Sequence, residues 1–126
     1  MLGLEKLLLA KVCLEKYLSY RVVQLNFELK LRRIQLTLRD NSLVYIVYND
    51  HDQYGYQIVF SSLQLDRCRF DNFDKGWNVS TSPHHFHSWL RGDGLASPMK
   101  GDPTHDIPLL CQLLLQGQLR SKEIPF

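Results

Sequence analysis

Apolar and polar residues alternate with a period of two from residue 23 to residue 38, and this pattern constrains the fold of the 126-residue chain more than any other. Period two places successive side chains on opposite faces of a β-strand, so one face is predicted to be buried. The alternation changes parity at Arg32 and Arg33, which indicates a bulge or a tight reversal. Three further strand-like segments, separated by polar turn residues, follow at 43–48, 54–60 and 64–70. We therefore expect an antiparallel meander of four or five strands.

A helix is predicted on each side of this meander. Residues 4–19 are good helix formers without Gly or Pro, and their leucines lie on two sides of the helix. One side is expected to meet the sheet, and the other the C-terminal helix or a second chain. Asp106 or Thr104 is the predicted cap of the last helix, with Pro108 in its first turn and an end near Gly117.

The predicted fold class is α+β: an N-terminal helix, an antiparallel meander, an irregular histidine-rich loop and a C-terminal helix. A chain of this length fits one domain, so we expect residues 1–126 to form a single domain. The net charge of +2 argues neither for nor against a nucleic-acid partner. No segment has the roughly twenty apolar residues of a membrane helix. Three widely separated cysteines fit reduced thiols, so we expect a cytoplasmic protein with no membrane partner.

Three of the five histidines, His84, His85 and His87, fall within four residues. If residues 83–87 are extended, His85 and His87 share one face; if they are helical, His84 and His87 are aligned. Either pair has the chemistry of a general acid and a general base acting on a phosphodiester. Two imidazoles with a carboxylate such as Asp71 also form a ligand set for a divalent metal. The alternative is a polar loop whose imidazoles only form hydrogen bonds.

Arg67 and Arg69 alternate along one predicted strand that ends in Asp71 and Asn72. Guanidinium groups on one strand face are candidate phosphate ligands. The alternative is a solvated strand whose charges prevent edge-to-edge pairing. Because Arg69 lies beside the histidine segment, we predict a functional role for it.

These residues also resemble a known motif. The pattern Arg-Phe-Asp-Asn followed by Pro-His-His-x-His resembles the TumE-like family, toxins of toxin–antitoxin pairs. The matching residues are Arg69, Asp71, Asn72, Pro83, His84, His85 and His87. The resemblance implies a partner antitoxin and a toxic activity directed at RNA.

The mechanism expected from this resemblance needs no metal cofactor. Arg69 binds a phosphate, Asp71 orients an imidazole, and two of the three histidines transfer protons for cleavage at the ribose 2′-hydroxyl. The expected catalytic residues are His84, His85, His87 and Asp71, and the expected substrate-binding residues are Arg67, Arg69 and Asn72. Two alternatives stay open: a non-catalytic module that dimerises or binds a partner through its helices, and a hydrolase or nuclease with a divalent metal at the histidine cluster.

Overall fold

The computed structural model describes residues 1–73, 79–89, 94–120 and 124. Two α-helices flank a sheet of consecutive strands in the chain order α1-β1-β2-β3-β4-β5-β6-β7-α2. The bounds are α1 Gly3–Leu18, β1 Val22–Glu28, β2 Arg33–Leu38, β3 Leu43–Tyr48, β4 Tyr54–Val59, β5 Arg67–Asp71, β6 His85–Ser88, β7 Gly94–Ala96 and α2 Pro103–Leu115. Short 3₁₀ turns follow β1 and α2. The predicted α+β class and the order of helix, meander and helix are confirmed.

The sheet is longer than the predicted meander. Its seven described strands lie in sequence order, and each neighbouring pair is antiparallel. The two additional strands, β6 and β7, fall in the segment predicted as an irregular histidine-rich loop. The sequence His85-Phe86-His87-Ser88 does alternate, but four residues are too few for a period-two pattern to stand out.

The change of parity after Leu31 is a tight reversal. A 3₁₀ turn over Leu29–Leu31 is followed by Arg32 in the left-handed region, at φ 51°. The chain then returns antiparallel to itself, with Glu28 opposite Arg33. Leu25 and Phe27 of β1 pack against the core together with the buried apolar residues of β2. The alternation predicts Val23, Leu29 and Leu31 on the same buried face, but these three are exposed.

One face of the sheet and the two helices enclose the hydrophobic core. In α1, four fully or nearly buried residues recur at helical spacing: Leu7, Ala10, Leu14 and Leu18. They pack with apolar residues of β2 to β6 and of α2 in one cluster. Burying a leucine of this kind contributes about 1.5–3 kcal/mol relative to leaving it in water. Leu8 and Val12, which point away from this stripe, are exposed.

Helix α2 begins earlier than predicted. Its N-cap is Asp102, whose carboxylate accepts a hydrogen bond from the backbone N–H of Thr104, and neither Thr104 nor Asp106 fills this position. Pro103 occupies the first turn, and Pro108 lies further inside the helix. Asp106 is instead completely buried. Among the described residues, no helix combines the length and apolar character required to cross a membrane.

Candidate functional site

The pairing of β5 with β6 assembles most of the predicted site on the face of the sheet away from the helices. Asp71 is directly opposite His85, and Arg69 is directly opposite His87. Residues two apart on a strand share a face, so all four side chains lie on the same side of this strand pair. Their neighbours Phe70 and Phe86 point to the other side, where they are fully buried in the core. Of the two geometries considered for residues 83–87, the pairing of His85 with His87 is confirmed.

Asp71 is the centre of this cluster. Its side chain is only 9% exposed, and Oδ2 forms an ion pair with Nε of Arg69 at 2.7 Å. Oδ1 lies 3.3 Å from Nδ1 of His85 and 3.7 Å from Nε2 of His87. Burial by itself raises the pKa of this carboxyl, but His87 and the charges of Arg69 and His85 outweigh it and hold the pKa below its usual value. Asp71 is therefore an anion that organises three basic groups.

The two clustered imidazoles differ in access to solvent. The side chain of His85 is 1% exposed, whereas that of His87 is 17% exposed. Nδ1 of His85 lies 2.8 Å from the backbone carbonyl oxygen of Asp71. Because a carbonyl oxygen only accepts, this nitrogen carries a proton. His85 thus acts as a buried support, and His87 is the imidazole that a substrate could reach.

His84 and Asn72 lie away from this cluster. Nδ1 of His84 is 2.9 Å from the hydroxyl of Tyr54, and the two rings stack with centroids 5.8 Å apart. Burial lowers the pKa of His84. Asn72 accepts a hydrogen bond from the backbone N–H of Tyr54 and donates one to the carbonyl of Asp52. The contacts of Asn72 tie the ends of β4 and β5 together, so the structure gives it a structural position and does not bring His84 to Asp71.

A shallow groove of about 520 Å³ continues from the cluster across the open face of the sheet. Three arginines, Arg33, Arg67 and Arg69, line it, and none of the described carboxylates does. Arg33 pairs with Glu28 at 2.7 Å, and Arg69 pairs with Asp71. In the described parts of the chain, Arg67 has no ion pair, and its Nε is buried without a hydrogen-bond acceptor. The groove therefore suits an anion.

Two residues that sequence reasoning missed shape the position of Arg69. A Cβ added to Gly55 would lie 3.0 Å from Nη2 of Arg69, so the guanidinium passes directly over this glycine. The ring of Phe73 flanks the same group, with its centroid 5.4 Å from Cζ of Arg69. A glycine inside a strand pattern marks a close approach by another group, and this signal was available in the sequence.

A second cavity, of about 450 Å³, lies near the C-terminal end of α2. It is lined in part by Tyr20, Arg39, Phe60 and Leu119, and it contains no histidine. This cavity is therefore separate from the cluster of Asp71, His85 and His87.

No family model matches the chain, and no curated protein or solved structure gives a significant match.

Proposed function

We propose that the chain is a small ribonuclease that needs no metal, and that it is the toxin component of a TumE-like toxin–antitoxin pair. The observation that carries the proposal is the joint placement of Arg69, Asp71 and His87 beside an open groove that three arginines line. A guanidinium binds a phosphate, and an accessible imidazole transfers a proton near neutral pH. Together these groups supply phosphate binding and proton removal, two of the functions that phosphodiester cleavage at a ribose requires.

Arg69 supplies the positive charge in this mechanism. Its Nε lies 2.7 Å from Oδ2 of Asp71, and this ion pair holds the guanidinium beside the carboxylate. The two terminal nitrogens keep donors for the non-bridging oxygens of a phosphate, in the forked geometry that arginine favours. Negative charge grows on those oxygens as the ribose oxygen attacks, so donors that are fixed beforehand stabilise the transition state more than the ground state.

His87 is the proton acceptor in this scheme. It removes the proton of the 2′-hydroxyl, the 2′-oxygen bonds to phosphorus, and the bond from phosphorus to the 5′-oxygen breaks. The products are a 2′,3′-cyclic phosphate and a 5′-hydroxyl, the latter after uptake of a proton from water. Asp71 orients His87 and stabilises its protonated form, because its Oδ1 lies 3.7 Å from Nε2 of that imidazole.

The decisive experiment compares His87→Ala with His51→Ala on a mixed single-stranded RNA. His51 is an exposed histidine in the turn between β3 and β4, so its variant is the matched control. We expect His87→Ala to lower cleavage by about 10²-fold or more, as loss of a general base does, while the control and the circular dichroism spectrum stay unchanged. Full cleavage by His87→Ala would eliminate this function.

A second candidate is a hydrolase that depends on a divalent metal. One ligand atom each from Asp71, His85 and His87 lies within 4.8 Å of the others, which is the two-histidine, one-carboxylate set. The ion pair of Arg69 with Asp71 weighs against it, because a guanidinium beside the carboxylate repels a second cation. Stoichiometric metal in the purified protein, together with cleavage that chelators abolish, would favour this candidate over the metal-free scheme.

We also propose that a cognate antitoxin in the cytoplasm binds the exposed side of α1. Leu8 and Val12 are about half exposed or more, so they offer an apolar surface to a second chain. A homodimer through the same surface, or a purely non-catalytic interaction module, is the competing account. Light scattering after size exclusion separates them: the antitoxin proposal predicts a monomer for the isolated chain, whereas self-association predicts twice the chain mass.

A further inference from the structure

We propose that the groove beside His87 binds the single-stranded RNA that flanks the cleaved bond, with Tyr45 stacking on a base and Arg67 holding a phosphate. The position of the cleaved bond in this inference rests on the proposed ribonuclease function. The binding itself depends on other residues and can be measured separately.

A straight row of side chains crosses the sheet and ends at His87. Strand pairing places Tyr45 opposite Gln57, Gln57 opposite Arg69, and Arg69 opposite His87. Neighbouring strands are about 4.8 Å apart, so this row spans about 14 Å from β3 to β6. A ligand that contacts both ends is longer than one nucleotide. The row therefore fits an extended chain that runs across the strands.

Tyr45 is a fixed aromatic platform on this row. Its ring is partly exposed on the open face, and Cζ of Arg33 lies 5.2 Å from the ring centroid. Arg33 is itself held by Glu28, whose Oε2 accepts from Nε at 2.8 Å and contacts Nη2 at 2.7 Å. Because Glu28 balances its charge, Arg33 serves mainly to hold the ring. Sheet surfaces with exposed aromatic rings are a recurring platform for single-stranded bases.

Arg67 supplies a cation without a counterion in the described residues. It lies two residues before Arg69 on β5, about 7 Å away along the same face. Its Nε is buried and lacks a hydrogen-bond acceptor. Arg67 lines the groove, and the terminal nitrogens of a guanidinium are also donors, so a phosphate oxygen in the groove is a suitable partner for this side chain. Since Gln57 lines the same groove and offers an amide to a base or ribose, the site has a partner for each part of a nucleotide.

The test measures binding without cleavage. Fluorescence anisotropy follows a labelled single-stranded RNA octanucleotide on the His87→Ala protein, with Tyr45→Ala, Tyr45→Phe and Arg67→Ala added singly. The matched controls are Tyr20→Ala and Arg39→Ala, which lie outside the groove. We expect Tyr45→Ala and Arg67→Ala to raise Kd at least about fivefold, the lower end for loss of a stacked base. Tyr45→Phe and both controls should stay within about twofold, because phenylalanine keeps the stacking face.

Salt dependence gives a second readout for Arg67. Removing one phosphate contact should reduce the slope of log Kd against log salt by about 0.7 for a single strand. Tyr45→Ala should leave this slope unchanged, and duplex RNA should bind more weakly than single-stranded RNA. Absence of binding by the parent, or equal loss in groove and control variants, would overturn the inference. Tighter binding of the duplex would also overturn it.

The outcomes separate this inference from the ribonuclease function. If the groove variants lose RNA binding while the chain with His87 intact cleaves no RNA, the binding site is supported and the ribonuclease function is refuted. If cleavage depends on His87 but the groove variants bind RNA normally, the ribonuclease function is supported and the proposed binding site in the groove is refuted.

Discussion

Replacing Gly55 with alanine adds one methyl group beneath the guanidinium of Arg69. The new Cβ would lie 3.0 Å from Nη2 of Arg69 and 3.5 Å from Cε2 of Phe73. A comfortable non-bonded contact is about 3.5 Å, so the tip of Arg69 must move by about 0.5 Å. That tip is the end of a flexible side chain, and Gly55 has no positive φ. The backbone therefore accepts alanine, and the displacement falls on the ion pair between Arg69 and Asp71.

The expected result is a loss of activity without a loss of stability. A misplacement of about 1 Å in an active site can cost about 10²-fold, so a shift of about half that size should lower RNA cleavage by about tenfold. Alanine in a strand is favoured over glycine by about 0.5–1 kcal/mol in backbone entropy, which offsets the cost of moving Arg69. The melting temperature should therefore stay the same or rise slightly. Initial rates of RNA cleavage and thermal denaturation measure the two effects.

A double-mutant cycle tests whether Gly55 acts through Arg69. Removing one charge-stabilising donor leaves residual activity about 10²–10³-fold below the parent, which is sufficient to measure. In the Arg69→Ala background, Gly55→Ala should change cleavage by less than about twofold, because two residues that act through one contact are not additive. An equal tenfold loss in both backgrounds would refute the reasoning. So would full activity of Gly55→Ala alone.

Three further predictions concern stability and reactivity. The pKa of Asp71 is lower in the folded chain than its usual value of about 3.9. Ionised Asp71 therefore stabilises the fold above about pH 3.9, and this stabilisation is lost as the pH falls through the pKa of the folded state. Urea unfolding between about pH 5 and 2 should depend less on pH in Asp71→Asn. Asp106→Asn should lower the free energy of unfolding in urea by about 3 kcal/mol, because the carboxylate accepts four hydrogen bonds and the NH₂ of asparagine cannot accept any of them. Asp102→Asn should lower it little, since asparagine also caps helices. Burial raises the pKa of all three thiols, to about 12 for Cys68 and Cys111, but Cys13 is only partly buried, so it should be the first to react with a thiol reagent before unfolding.

The strands that were predicted are those of five residues or more. Alternation shows the core-facing side clearly in β2, where Ile34, Leu36 and Leu38 are buried. It does not do so in β3, which is apolar on both faces, and in β1 the apolar Val23 is exposed. Strands β6 and β7 have four and three residues. Strands this short form because β5 offers them a template, and such a long-range contact leaves no periodic signal in the local sequence.

The sequence identified the residues of the site, but it did not show which of them lie together in the folded chain. Arg69, Asp71, His85 and His87 were all singled out, but the sequence left open whether residues 83–87 are extended or helical. The strand geometry puts His84 beside Tyr54 and away from the other two imidazoles. Nor did the sequence show that His85 is buried while His87 is accessible. His85 and His87 lie on the same face of the sheet, so their difference in exposure depends on what surrounds each ring. The alternation within residues 83–87 carries no signal of it.

Alternate residues of β5 and β6 face the hydrophobic core and the candidate site on opposite sides of the sheet. Phe70 and Phe86 anchor the strand pair from one side, with ring centroids 4.8 Å apart, while the neighbouring residues build the charged cluster on the other. The aromatic pair fixes the register, and a slip by one residue would send the imidazoles into the core. Replacing one ring of the pair, as in Phe86→Leu, should therefore lower the free energy of unfolding. It should impair the site only if the register between β5 and β6 changes. Substitutions of His87 should do the reverse, because that side chain is partly exposed and contributes little to packing.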